Sequence, residues 1–244
     1  MKTPEVLAWG RVLRAPQQVQ AGHDRHAPLP SMAGVTSLLP FGNGRSYGDS
    51  CLNANGGLLQ TRSLDRFMAF DAGTGELIAE SGVLLADILR LFVPQGWFLP
   101  VTPGTRYVTL GGAIANDVHG KNHHLAGTFG NHVERFEVLR SDGSRTVCSR
   151  EENGALFAAT IGGLGLTGLI TWVALKLRRI ANPWIDAETV RFQNLDGFFA
   201  LCAESDRDYE YTVSWIDCAG RGKRLGRGLF MRGNHAPASA ETGH

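Results

Sequence analysis

The sequence predicts an α+β fold, on three observations. Short apolar runs are separated by glycine-containing turns, as in residues 67–71 and 76–80 around Ala72-Gly73-Thr74-Gly75. Helical spacing of apolar residues is confined to a few separate segments. The regular strand–helix alternation of a doubly wound parallel sheet is missing.

Each element has its own signal. Residues 1–35 hold several prolines and no sustained period, so an irregular arm over the surface is expected. Residues 36–40 form a short apolar strand that runs directly into FGNGRSYGDS at 41–50. Residues 57–61 read as another strand, and the 67–80 hairpin follows. Helical spacing over 84–93 predicts a helix stopped by Pro94 and Gly96. A strand over 97–101 ends at Pro103-Gly104. Residues 136–140 and 145–148 flank Asp142-Gly143, a strong hairpin signal. A helix over 151–161, the loop GGLGLTG and a strand over 169–177 complete this part. Trp97, Trp172 and Trp215 lie in strand contexts, where core packing explains them.

The uncharged run 155–175 is long enough to cross a bilayer. Gly162, Gly163, Gly165 and Gly168 break it, and its two ends differ in period. A buried helix–loop–strand is therefore read here, and no transmembrane segment is expected.

Composition shifts near Asn182-Pro183. Strand 188–192, helix 195–204, strand 209–216, a Gly/Arg-rich loop and strand 225–232 give a β-α-β-β order. Two units are expected, 1–180 and 181–244. The second is too short to close a core of its own. Residues 234–244 are polar and read as structureless, so the chain is expected to be a fragment or to end early.

Bulk properties exclude several classes. Net charge is +1, with no basic stripe, so a nucleic-acid partner is not expected. Cys51, Cys148, Cys202 and Cys218 stand far apart, without the spacing of a disulfide scaffold or zinc ribbon. Reduced thiols in a reducing, cytoplasmic compartment are expected. The first 17 residues contain no apolar leader core, so no secretory signal is expected. GK[ST] and G-x-S-x-G are absent, which disfavours a nucleotide triphosphatase and a serine hydrolase.

The chain is organised around residues 105–132, TRYVTLGGAIANDVHGKNHHLAGTFGNH, which hold four of the eight histidines. Gly111-Gly112 allows close approach of backbone to a ligand. A short helix starting at Ala113-Ile114-Ala115 would offer free N–H groups to a phosphate. FGNGRSYGD alone is either an anion-binding loop or an ordinary turn. Two further glycine-rich turns, 103–112 and 162–168, change the balance. Three such loops point to one elongated, phosphate-bearing ligand. His119 and His123 have the spacing of a metal pair, but a glycine intervenes and a third ligand is lacking, so no metal is expected. Lys121 and His119 are alternatively a cation and a titratable donor facing an anionic ligand, or part of a solvated loop. Asp117 is read as a local cap or pairing group.

FGNGRSYGDS, PVTPGTRYVTLGGAIANDVHGKNHHLAGTFGNHV and ATIGGLGLTGLI together resemble the vanillyl-alcohol-oxidase-type (PCMH-type) FAD-binding flavoproteins. The likeness runs from about Trp9 to Arg232. It is nearest to the branch that oxidises the ribose 2-hydroxyl of decaprenylphosphoryl-β-D-ribose, in an epimerisation needed for cell-wall arabinan. GGAIAND with HGKNHH is the specific part. The resemblance implies an FAD-binding domain of two subdomains over 1–180, followed by the start of an incomplete substrate domain. It implies that Phe41, Gly42, Asn43, Gly44, Arg45 and Ser46 wrap the FAD pyrophosphate with main-chain and side-chain donors. Gly104, Thr105, Gly111, Gly112 and Ala115 continue the cradle, and Ile170 meets the adenine side. His119, Gly120 and Lys121 lie near the flavin and substrate, with Tyr47 close by; Lys121, His119 and Tyr47 are the catalytic candidates. Some relatives link flavin covalently through a histidine where Arg45 stands, so non-covalent FAD is expected.

The implied substrate is a lipid-linked sugar, with a partner reductase for the keto product and membrane association through partner or lipid. Family members are longer, and their further part supplies more active-site groups. Two alternatives stand beside this reading: a flavin-binding fragment without turnover, and an alditol or lactone oxidase of the same superfamily.

Overall fold

Three sheets and a two-stranded ladder organise the described residues, 6–22 and 24–239 of a computed structural model. The first sheet is parallel, in the order β1 (Gln18–Ala21), β3 (Gly57–Gln60), β2 (Leu38–Phe41). β1 corrects the irregular arm expected over 1–35. Its four residues carry no signal of their own and form a strand only because β3 offers an edge. Residues 1–5 and 23 of that arm lie outside the described residues.

The second sheet has five antiparallel strands, built on the two hairpins the turns announce. Asp71 accepts from the Gly73 N–H at 2.7 Å and closes the turn between β4 (Phe67–Asp71) and β5 (Glu76–Glu80). The helix after it, α1 (Leu85–Phe92), buries Leu85, Ile88 and Phe92 on one face. It gives way to a 3-10 turn, Val93–Gln95, that ends at Gly96 with φ +78°. β6 is only Trp97–Phe98, and α2 is Leu110–Ala115. α3 (His123–Ala126) precedes the second hairpin, β7 (Val133–Leu139) and β8 (Arg145–Ser149). α4 (Gly154–Thr160), a glycine loop and β9 (Leu169–Lys176) follow, which is the helix–loop–strand read from the uncharged run. Among the described residues no helix is long and apolar enough to cross a membrane.

Sheet order is β4-β5-β9-β7-β8. One face carries the main core, in which Leu77, Val173, Leu175 and Phe136 meet Leu85, Ile88, Leu110 and Ile114, all at most 1% exposed. Each such side chain stabilises the fold by about 1.5–3 kcal/mol. The opposite face carries a paired polar ladder. Arg135 meets Glu76 at 2.7 Å, Arg145 meets Glu137 at 2.9 Å, and the Thr171 hydroxyl donates to Glu137 at 2.7 Å.

β10 (Arg178–Arg179) pairs with β6 and leads into the third sheet, in the order β11 (Ile185–Phe192), β13 (Gly228–His235), β12 (Tyr211–Ile216). α5 (Leu195–Ser205) starts at Asn194, whose side chain accepts from the Gly197 N–H at 3.0 Å. It covers one face, where Phe198 meets Phe192 and Phe230 with ring centroids 5.6 and 6.3 Å apart. Asn234 and His235 belong to β13, which corrects the structureless tail expected from 234 onward; residues 240–244 lie outside the described residues. Trp215 corrects a second expectation. Strand alternation turns it away from α5, opposite Leu229, and it is 72% exposed rather than in a core. Trp97, by contrast, is 5% exposed and packs in the main core.

Candidate cofactor site

A cleft of about 540 Å³ opens between the parallel sheet and the edge of the main core. That size suits a small-molecule or cofactor site. All three glycine-rich loops reach it: Gly42 and Gly44 from the first, Gly104 and Gly111 from the second, Gly165 and Gly168 from the third. Segments more than a hundred residues apart in sequence thus share one surface.

The first loop leaves β2 at the buried Phe41. Gly44 has φ +59°, and a Cβ there would lie 2.7 Å from the Leu7 carbonyl oxygen. Only glycine satisfies both conditions. The loop is braced at both sides. The Trp9 N–H donates to Ser46 O at 3.0 Å, and Asn43 Nδ2 donates to Tyr107 O at 2.6 Å. Arg45 donates to Asn43 O at 2.8 Å and lies over the Trp9 ring, 5.4 Å from its centroid. Among the described residues, no acceptor in the protein takes the N–H groups of 42–48. Gly42, Asn43, Gly44 and Ser46 are buried or half-buried, so donors there need a partner, and an anion supplies one.

The second loop differs from the sequence expectation. α2 begins at Leu110 and ends at Ala115, because Thr109 caps it: its Oγ1 accepts from the Gly112 N–H at 3.1 Å. The Leu110 N–H donates to Val83 O and the Gly111 N–H to Ser81 O, both at 2.8 Å. The free N–H groups expected here for a phosphate are therefore already spent. Gly111 and Gly112 form a wall that a ligand can approach closely, not a donor cluster. A Cβ on Gly42 would collide with Thr109, so first loop and helix pack directly.

The third loop is tied to the end of α2. The Gly162 N–H donates to Ile114 O at 2.9 Å and the Leu164 N–H to Ala115 O at 2.8 Å. β9 then brings Ile170 to the cleft wall.

The expected site residues fall into two groups. Gly42, Asn43, Gly44, Arg45, Ser46 and Tyr47 line the cleft, as do Gly104, Thr105, Gly111, Gly112, Ala115, His119 and Ile170. Phe41, Gly120 and Lys121 are not among the lining residues. Phe41 packs in the core of the parallel sheet. Gly120 is buried, and a Cβ there would lie 2.7 Å from Thr102 O, so packing alone requires glycine. The Lys121 side chain is exposed, while its carbonyl accepts from the Thr212 N–H of β12 at 2.9 Å. The His119 and His123 ring centroids lie 5.9 Å apart, and His123 Nδ1 is 3.1 Å from Gly120 O. Asp117 pairs locally, accepting from the Gly130 N–H at 2.9 Å.

A polar junction holds this histidine-rich segment against the third sheet. Asn122, 2% exposed, donates to Pro100 O at 2.9 Å. His124 Nε2 lies 3.0 Å from Tyr209 O. Glu210 pairs with Arg178 at 2.7 Å, and Arg178 also donates to the Tyr211 hydroxyl at 3.2 Å. Burial pushes the Tyr211 hydroxyl far above its ordinary range, so it stays protonated.

Electrostatics favour an anion. None of the described lining residues is acidic, and Arg45 contributes a permanent cation. Cys51 also lines the cleft, and burial pushes its thiol up, away from a reactive thiolate. Sequence reasoning missed Trp9, Ser81, Thr109 and Cys51 as lining residues. Thr109 had a usable signal, a threonine three residues before the helical Gly112. The others carry none. The free loop amides, the closely approachable glycine wall and the acid-free lining fit a dinucleotide with a pyrophosphate.

Comparison with known proteins agrees with this geometry. Residues 34–149 match the family described as FAD binding domain. A decaprenylphosphoryl-β-D-ribose oxidase of Mycolicibacterium smegmatis is 34% identical over 241 residues, covering 96% of this chain and 52% of that protein. An uncharacterised protein of Streptomyces coelicolor is 39% identical over 158 residues, covering 65% and 42%. A human Δ(24)-sterol reductase is 31% identical over 139 residues, covering 55% and 26%. The chain spans about half, or less, of the length of these curated relatives. An FAD binding domain thus occupies residues 34–149 of this chain, which is similar over 96% of its length to that oxidase.

Proposed function

We propose that this chain is the cofactor-binding part of an FAD-dependent oxidoreductase acting on a sugar hydroxyl, with the ribose 2-hydroxyl of decaprenylphosphoryl-β-D-ribose as its target. The observation that carries this reading is the convergence of three glycine-rich loops on one acid-free cleft, in a chain similar over 96% of its length to a protein named for that oxidation. When bound, FAD supplies the hydride acceptor. FAD is held non-covalently, since position 45 carries an arginine in place of the linking histidine. Residues 1–180 hold the cofactor and 181–244 open a substrate domain. The loop amides of 42–48 bind the pyrophosphate. His119 takes the hydroxyl proton and Tyr47 orients the sugar, a reading supported by the position of both among the cleft-lining residues. Lys121, next in chain to the cleft but outside its lining, is the cation proposed to offset the charge of the reduced flavin, its backbone pinned by Thr212. The keto product passes to a partner reductase, and the lipid tail of the substrate brings the protein to a membrane.

A second reading, flavin binding without independent turnover, is favoured by the uncovered apolar face of the third sheet. Anaerobic addition of decaprenylphosphoryl-β-D-ribose to FAD-loaded protein separates the two. Bleaching of the visible flavin band supports turnover. Bleaching by a simple polyol alone moves the substrate to the alditol or lactone type, and a flavin that neither substrate bleaches supports the second reading. Lys121→Ala is expected to lower turnover at least tenfold with flavin still bound; unchanged turnover removes Lys121 from the mechanism.

A further inference from the structure

We infer that Ser81 binds the cofactor through its hydroxyl. Ser81 follows β5, lines the cleft and is 2% exposed. Its Oγ has no hydrogen-bond partner in the protein. A buried hydroxyl without a partner is costly, and native structures rarely leave one unmet.

Its neighbours differ. The cleft has two other buried hydroxyls, Thr61 and Thr109, and both are committed. Thr61 Oγ1 donates to Phe41 O at 3.3 Å, and Thr109 Oγ1 accepts from the Gly112 N–H at 3.1 Å. Each therefore holds the protein together. Ser81 does its structural work with its backbone instead. Its N–H donates to Thr171 O at 3.0 Å, and its carbonyl accepts from the Gly111 N–H at 2.8 Å. These two bonds fix its Cα between β9 and α2 and leave the side chain free for a ligand. Gly111 completes the arrangement, because a Cβ there would lie 2.9 Å from the Ser81 Cβ. Glycine at 111 leaves room for the Ser81 side chain beside it.

The inference rests on FAD as the ligand of this cleft and adds to it a contact from outside the three glycine loops. The hydroxyl accepts from or donates to a polar group of the bound cofactor.

The test is Ser81→Ala, read by FAD titration of apoprotein through flavin fluorescence and by thermal denaturation of the same apoprotein. Wild-type titration checks the cofactor itself: if wild type takes up no FAD, the reading on which the inference rests fails. With wild type binding, the variant is expected to raise Kd for FAD roughly three- to tenfold, the range of one net hydrogen bond. The apoprotein melting temperature is expected to stay or rise, because the substitution removes an unpartnered buried group. A Kd within twofold of wild type overturns the inference, because the hydroxyl then makes no contact that the cofactor needs. A lower apoprotein melting temperature, or failure to fold, also overturns it, since Ser81 Oγ would then be a structural group.

Discussion

The five-stranded and three-stranded sheets are both antiparallel, yet they meet solvent differently. In the first, central β9 has only Trp172 and Lys176 outside the buried class, because helices cover one face and a paired polar ladder fills the other. In the third, seven of the eight residues of β11 are exposed or half-buried, and Ile185, Trp215 and Leu229 stand uncovered on the face away from α5. The cofactor cleft is built on the sheet that is closed, and the junction with the histidine-rich segment on the one that is open. Rigidity is thus concentrated where a cofactor needs preformed walls. The open sheet contributes position, through Thr212 of β12 and through Tyr209 and Glu210 just before that strand, rather than core.

The largest effect expected from this contrast is a pair of truncations. Leu77→Ala, in the closed sheet, is expected to cost about 2–5 kcal/mol of stability. Trp215→Ala, in the open sheet, removes a larger side chain but only a cross-strand contact with Leu229, and is expected to cost less than about 1 kcal/mol. Urea denaturation followed by circular dichroism measures both. Equal losses would break the contrast.

Next in size is Gly44→Ala. It places a side chain at φ +59° and against Leu7, for roughly 1–2 kcal/mol of backbone strain before the clash is counted. The expected result is FAD affinity lowered at least tenfold with far-ultraviolet circular dichroism unchanged. Wild-type affinity in a folded variant would mean that the loop backbone does not set the site.

The smallest effect is electrostatic and lies in the third sheet. Hydrogen bonds from Arg232 and then Tyr209 hold the Glu188 carboxyl below its ordinary value of 4.5. A carboxyl with a lowered folded-state pKa contributes stability above its unfolded value and loses it as pH falls through the folded one. The melting-temperature difference between wild type and Glu188→Gln is therefore expected to be small at neutral pH, reduced by salt, and to vanish in acid below 4.5. A difference that grows in acid would reverse the sign and refute the assignment.

How legible each part was in the sequence depends on where its cause lies. Both hairpins, α1 and the helix–loop–strand over 154–176 were readable, because turn residues and local period determine them. The convergence of three glycine loops could be anticipated from their number alone. β1 was not readable, since four residues without period become a strand only beside β3. The start of α2 at Leu110, capped by Thr109, was misjudged, and with it the fate of three N–H groups that donate to Val83, Ser81 and Thr109. Trp215 was misread because a period-two strand states which residues share a face, not which face is covered. Ser81 carried no signal at all: its role follows from what surrounds its hydroxyl in space.

The visible absorbance spectrum of the purified protein, taken before and after acid precipitation, decides whether the cleft holds FAD and how. A flavin spectrum whose colour moves into the supernatant is the result expected of the proposed non-covalent FAD. A folded, colourless protein that takes up no added FAD would contradict the cofactor assignment outright, and colour retained in the pellet would contradict the non-covalent part of it.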